Sequence, residues 1–203
     1  MKKISLIVLV VPLALACNNG ANNTVQKADS TNNSNMDTSN TSSKMDTTTS
    51  TNKMTGTVAV DKTTSEFLTK VADVGMTEVK LGRMAQDKGM NQRVKDFGAM
   101  MVKDHTAAND ELKDIASRKN VTLPESITSA HQKKADDLDK KTGNDFDKAY
   151  INDMISGHEA TINDFEKASK NTRDQDVKAW VDKTLPTLKM HLDSARAIKK
   201  SIK

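Results

Sequence analysis

Cysteine is nearly absent from this chain: 203 residues contain one, Cys17. A single thiol excludes a disulfide framework and the Cys-rich zinc modules. Aromatics are scarce too, with four Phe, one Trp and one Tyr. Without aromatic and β-branched runs, a sandwich or barrel has nothing to close on. Three prolines and eight glycines leave long stretches free of helix breakers. No phosphate-binding glycine loop and no Ser/His/Asp or Cys/His set is present, so nothing assigns an enzymatic reaction. Charged residues make up 29 %, but the net charge is only +4. Lysines alternate with Asp and Glu, which leaves no basic stripe for nucleic acid.

The N-terminus reads as a processing signal. Lys2 and Lys3 precede an apolar run from Ile4 to Leu15, followed by Ala16 and Cys17. The run is too short to span a bilayer and has the layout of an export signal. Leu13-Ala14-Leu15-Ala16-Cys17 resembles the lipobox of bacterial lipoproteins, which implies lipidation at Cys17. Residues 1–17 are therefore expected to be a lipoprotein signal peptide, with several acyl chains supplying a firm membrane anchor. Residues 18–61 read as a disordered tether, because 25 of the 40 residues from Asn18 to Thr57 are Asn, Thr or Ser. Met36, Met45 and Met54 recur there at a nine-residue spacing, which suits either capture of a soft metal such as copper(I) or, as the favoured reading, duplication within a tether.

Residues 62–203 read as helices throughout. Thr63 and Glu66 form a capping box for a first helix ending near Lys88, and Asn91 caps a second running to about Lys119. Thr122 and Glu125 predict a short third helix to about Lys141. Gly143-Asn144 opens a fourth running to about Lys170, and Thr172 and Gln175 cap a fifth with a kink expected at Pro186. Two hairpins of long helices joined by a crossover predict an all-α, ferritin-like four-helix bundle with a short extra crossover helix.

Each long helix carries an apolar seam, and each seam is broken once by a titratable residue. Phe67, Val71, Val74, Leu81 and Ala85 flank Glu78. Val94, Met101, Ala108, Leu112 and Ile115 flank His105, and Ile151, Ile155, Ile162 and Phe165 flank His158. Val177, Val181, Leu188, Ala195 and Ile198 flank His191. Measured from the turn joining each hairpin, Glu78 and His105 lie roughly 17 and 23 Å deep, and His158 and His191 roughly 18 and 27 Å. Helical side chains lean toward their own N-termini, which narrows both gaps and brings the four toward mid-bundle. Buried polar groups need one another, water or a metal.

One carboxylate and three imidazoles suit zinc, iron, manganese or copper. Met101 and Met154 sit one turn before His105 and His158, as secondary soft ligands or as core filler. Asp104 and Glu159 point about 100° off the seam and are expected to support ligands or face solvent. Tyr150 is a candidate for a metal-free polar network, and His131 is expected to be exposed. A di-iron oxidase site would require paired Glu-x-x-His motifs, and the chain has none.

Phe97-x3-Met101-x2-Asp104-His105, Leu123-Pro124, Phe146-Asp147-x2-Tyr150, His158-Glu159 and Leu185-Pro186-x-Leu188-x2-His191-Leu192 follow in that order. Together they resemble the DUF4142 family of exported bacterial helical-bundle proteins, over about residues 62–200. The resemblance implies the bundle fold and a location in the cell envelope, and no activity. The family's acidic residue on the first helix matches Glu78, and its histidines match His105, His158 and His191.

The leading expectation is an exported lipoprotein, anchored in the outer membrane and facing the periplasm. Its bundle would bind one metal ion through Glu78, His105, His158 and His191, for buffering or sensing. The alternative is a metal-free structural or interaction module of the envelope, serving stress responses through an unidentified protein partner.

Overall fold

A computed structural model of the chain describes residue 25, residues 27–32 and residues 60–202. The expected signal peptide, Cys17 and the three spaced methionines lie outside the described residues. Five helices follow one another from residue 60 onward: α1 (Lys62–Lys88), α2 (Gln92–Arg118), α3 (Ser129–Asp139), α4 (Gly143–Asn171) and α5 (Gln175–Ser201). The described residues contain no strand, and none of their helices is long and apolar enough to cross a membrane. α1 packs along α2 and α4 along α5, the two hairpins face each other, and α3 crosses between them. The chain is a ferritin-like four-helix bundle with a short crossover helix, as the seams predicted.

Side chains cap the starts of α1, α2, α3 and α5, whereas α4 starts without a side-chain cap. Asn91 accepts from the Arg93 N–H to open α2, as expected. Elsewhere the caps differ from the sequence reading. Asp61, not the Thr63 box, opens α1 by accepting from Thr64 N–H (2.9 Å) and Thr64 Oγ1 (3.1 Å). Asp174, not Thr172, opens α5 by accepting from the N–H groups of Asp176 and Val177. In both cases a carboxylate outcompetes a neighbouring hydroxyl, because its charge also complements the helix N-terminus. α3 starts at Thr128 rather than Thr122. Asn120 ends α2 in the left-handed region (φ 54°), a conformation that Asn tolerates. The chain beyond it is held by other contacts, so it does not enter a helix until Thr128. α5 continues through Pro186.

The two hairpins are not equally close. At the α1–α2 crossing, a Cβ on Gly98 would lie 2.6 Å from the Gly82 carbonyl oxygen, and one on Gly82 would lie 2.8 Å from the Gly98 carbonyl oxygen. Only glycine permits this backbone approach. At the end of the same hairpin, buried Asp147 of α4 accepts from the turn N–H groups of Met90 (3.0 Å) and Asn91 (2.7 Å).

The core has two apolar clusters. One gathers Leu68, Val71, Leu112, Ile115, Phe165, Trp180 and Leu188. The other gathers Leu81, Phe97, Met101, Phe146, Tyr150, Met154 and Ile198. In sequence position along each long helix, Glu78, His105, His158 and His191 fall between the two. The core is therefore layered as apolar, polar, apolar.

Within the stretch expected to be a bare tether, residues 27–32 are helical. Ala28 and Asn32 of this segment are buried. Asn32 reads the backbone of Thr122 as a strand would: its Oδ1 accepts from Thr122 N–H (2.7 Å) and its Nδ2 donates to Thr122 O (3.1 Å). A third contact reaches Thr69 Oγ1 (3.4 Å). The same bonds keep Thr122 out of a helix, which explains why the cap expected there is not used. Composition alone had suggested a solvated linker, since one Asn among many carries no visible register.

Candidate metal centre

Three of the chain's four histidines converge. One ring nitrogen from each of His105, His158 and His191 can be chosen so that all lie within 4.8 Å of one another. The residues are 8 %, 1 % and 1 % exposed. They come from α2, α4 and α5, and their ring centroids are 5.4–5.8 Å apart.

Hydrogen bonds fix which nitrogen points inward on two of them. His158 Nδ1 lies 2.8 Å from the Met154 carbonyl oxygen, one turn earlier on α4. A carbonyl only accepts, so Nδ1 carries the proton and Nε2 presents a lone pair. His191 Nε2 lies 3.0 Å from Asp104 Oδ2. A carboxylate likewise only accepts, so Nε2 carries the proton and Nδ1 presents its lone pair. Those two lone-pair nitrogens face each other at 3.4 Å. On the third ring, His105 Nε2 is buried without a hydrogen-bond partner among the described residues.

Electrostatics keep these rings neutral. Burial pushes His105 well below the usual imidazole range, and His158 and His191 add to the shift. Burial also takes His158 down to about 4, with neighbouring His191 contributing and the Met154 carbonyl opposing. His191 is lowered by burial against the pull of Asp104. A proton is therefore a poor resident for the cluster at neutral pH, and the facing lone pairs have none to share. Two nitrogens bound at about 2.0–2.1 Å to one tetrahedral ion stand about 3.3 Å apart, close to the His158–His191 separation. The carboxylate behind His191 is the arrangement that orients a metal-bound imidazole and raises its basicity.

Glu78 shares the layer but not the cluster. The group that lies within 4.8 Å contains the three histidines and not Glu78. Glu78 is 5 % exposed, and its Oε2 has no hydrogen-bond partner among the described residues. Gly157 leaves room for it, since a Cβ there would lie 3.4 Å from Glu78 Oε1. Burial raises Glu78 to about 8, with Lys134 opposing and Asp153 assisting, so at pH 7 it is mostly a neutral acid. It lines a cavity of about 280 Å³ with Asp73, His131, Lys134, Asp153 and Met154 among its walls.

The secondary candidates divide. Asp104 is the support for His191. Glu159 lies on the surface, paired with Arg196 at 2.8 Å. Met101 and Met154 are buried in the apolar cluster, and the backbone of Met154, not its sulfur, holds His158. Tyr150 is buried between Phe97 and Phe146, with its hydroxyl unpartnered among the described residues, so it joins no polar network. His131 is not free on the surface as expected: its Nδ1 lies 2.8 Å from Asp73 Oδ2. Asp73, which also accepts from Thr128 N–H at 2.8 Å, is the residue that sequence reasoning passed over. The available signal was an Asp inside the apolar face of a long helix.

Two solved structures share the fold. A DUF305 fragment from Deinococcus radiodurans matches with a TM-score of 0.63 and 9 % identity, over 70 % of this chain and 99 % of that one. A protein described as CopM in the Cu(I)-bound form matches with a TM-score of 0.58 and 15 % identity, over 68 % of this chain and 96 % of that one. No curated protein matches the chain. Residues 49–198 match the family described as Domain of unknown function (DUF4142), which covers nearly all of the bundle, and the chain belongs to that family.

Proposed function

We propose that this bundle holds one transition metal ion on His105, His158 and His191, to buffer or sense that metal in the cell envelope. The observation that carries the reading is the pair of lone-pair nitrogens facing each other at 3.4 Å, each oriented from behind by an acceptor. Without a cation, that geometry sets two electron-rich atoms against each other in a buried core. With one, it supplies two of three imidazole ligands at the right spacing. Three imidazoles suit zinc and copper best among the candidate ions, with iron and manganese less favoured. The fold neighbour described as Cu(I)-bound makes copper the first ion to try beside zinc. The envelope part of the reading rests on Lys2, Lys3, the Ile4–Leu15 run and Cys17. It predicts fatty-acid labelling of the chain that is lost in Cys17→Ser.

The test is elemental analysis of the protein purified without chelator, beside the variant with alanine at His105, His158 and His191. The expected result is close to one ion per chain in the parent and none in the variant. The reading falls if the parent carries no metal and gains no thermal stability from added zinc, copper, iron or manganese.

A further inference from the structure

The three histidines are almost closed to solvent, so an ion needs a path to them. The cavity beside Glu78 is lined by exposed Lys70 and by Asp164, Asp153 and Lys134, together with buried Glu78 and Met154 and with Gly157. The histidines do not line it, but its wall includes the turn of α4 that carries His158: Gly157 precedes the histidine, and the Met154 carbonyl holds its ring. Glu78 also lies level with His105 across the α1–α2 hairpin. The crossings of Gly75 with Asn109 and of Gly82 with Gly98 bracket it, which places Glu78 opposite residues 102–105.

The charges around this cavity are paired with one exception. Lys70 pairs with Asp164 (2.6 Å), Lys134 with Asp153 (3.4 Å) and His131 with buried Asp73 (2.8 Å). Glu78 is different: it is buried and its Oε2 is unpartnered among the described residues. The cavity volume of about 280 Å³ accommodates an ion with six waters at about 30 Å³ each.

We infer that this cavity is the access route for the metal ion, and that Glu78 is the carboxyl group that exchanges its proton for the incoming cation and passes the ion to the histidines. The inference rests on the metal-site reading above. It makes Glu78 a transit residue, distinct from the three resident ligands. A transit residue lowers the barrier in both directions, so its loss slows binding and release alike and leaves affinity unchanged. A resident ligand behaves otherwise: its loss speeds release and weakens affinity.

Stopped-flow uptake of zinc ion from a colorimetric indicator, with equilibrium competition against the same indicator, separates the two. The parent, Glu78→Gln and Thr161→Leu are compared. Gln keeps the size of the side chain, and Thr161→Leu narrows the cavity from its wall. The expected result is one zinc per chain in all three, with uptake and release both slowed about tenfold or more in each variant and affinity within threefold of the parent. Uptake at the parental rate in Glu78→Gln overturns the inference, as does weakened affinity at an unchanged uptake rate. Failure of all three proteins to bind zinc, copper or any other added ion overturns the metal-site reading itself.

Discussion

A carboxyl held near 8 in the core makes stability fall as pH rises across neutrality. Glu78 is raised from 4.5 to about 8 by burial, so between those values the folded state holds a proton that the unfolded chain releases. Stability contributed by that proton is complete below about pH 4.5 and declines as pH climbs toward 8. The buried histidines act with the opposite sign. His158, lowered from 6.5 to about 4, costs stability on acidification, and so do lowered His105 and His191; because unfolded histidine is still half protonated at 6.5, this gain with pH levels off only about a unit higher. Parent and Glu78→Gln share the histidine part, so their difference from pH 6.5 to 8 belongs to Glu78. At about 1.4 kcal/mol per unit, and allowing for partial ionisation near 8, the parent should lose about 1.5–2 kcal/mol relative to the variant across that window. For a bundle of this size that is about 5 °C in melting temperature. The assay is urea unfolding followed by far-UV circular dichroism at pH 6.5, 7.25 and 8 in the presence of chelator. A difference between parent and variant that stays constant across the window refutes the reasoning, as does one that changes in the opposite direction.

Three further outcomes follow from specific contacts. Asp104→Ala leaves His191 without the acceptor that fixes its tautomer, and metal affinity should weaken by about 10–100-fold, read by indicator competition. Gly98→Ala would stabilise an exposed helix, but here its methyl lies 2.6 Å from the Gly82 carbonyl, and the forced separation of α1 and α2 should cost about 1–3 kcal/mol in urea unfolding. Asn32→Ala removes the acceptor of the Thr122 N–H; exchange of that amide with deuterium should accelerate about tenfold or more, while amides deep in α4 keep their protection.

Much of this architecture was legible in the residues, and the parts that were not have physical causes. Apolar spacing with one polar break per long helix located His105, His158 and His191 in one layer, because depth along a straight helix is simple arithmetic. Rotation about the helix axis is harder to read. Glu78 sits at the right depth yet turns toward Gly157 and the cavity, since the α1–α2 contact is set by Gly75, Gly82 and Gly98 and not by the large residues that define the seam. Asp104 was visible as a neighbour of His105. Its role is to support His191, because a residue one step off the seam faces the adjacent helix. The caps at Asp61, Asp174 and Thr128 each lost to a plausible rival in sequence, where local propensity was close and a tertiary contact decided. The helical segment at residues 27–32 had no periodic signal at all, and its one specific device is a side-chain amide pairing with a distant peptide.

The central claim concerns which atoms hold the ion, and X-ray absorption on the metal-loaded protein addresses it directly. The account predicts a first shell with three imidazole nitrogens at about 2.0–2.1 Å for zinc, reduced when His158 is replaced by alanine and unchanged in Glu78→Gln. A shell dominated by oxygen or sulfur, or one that His158→Ala leaves intact, would contradict it.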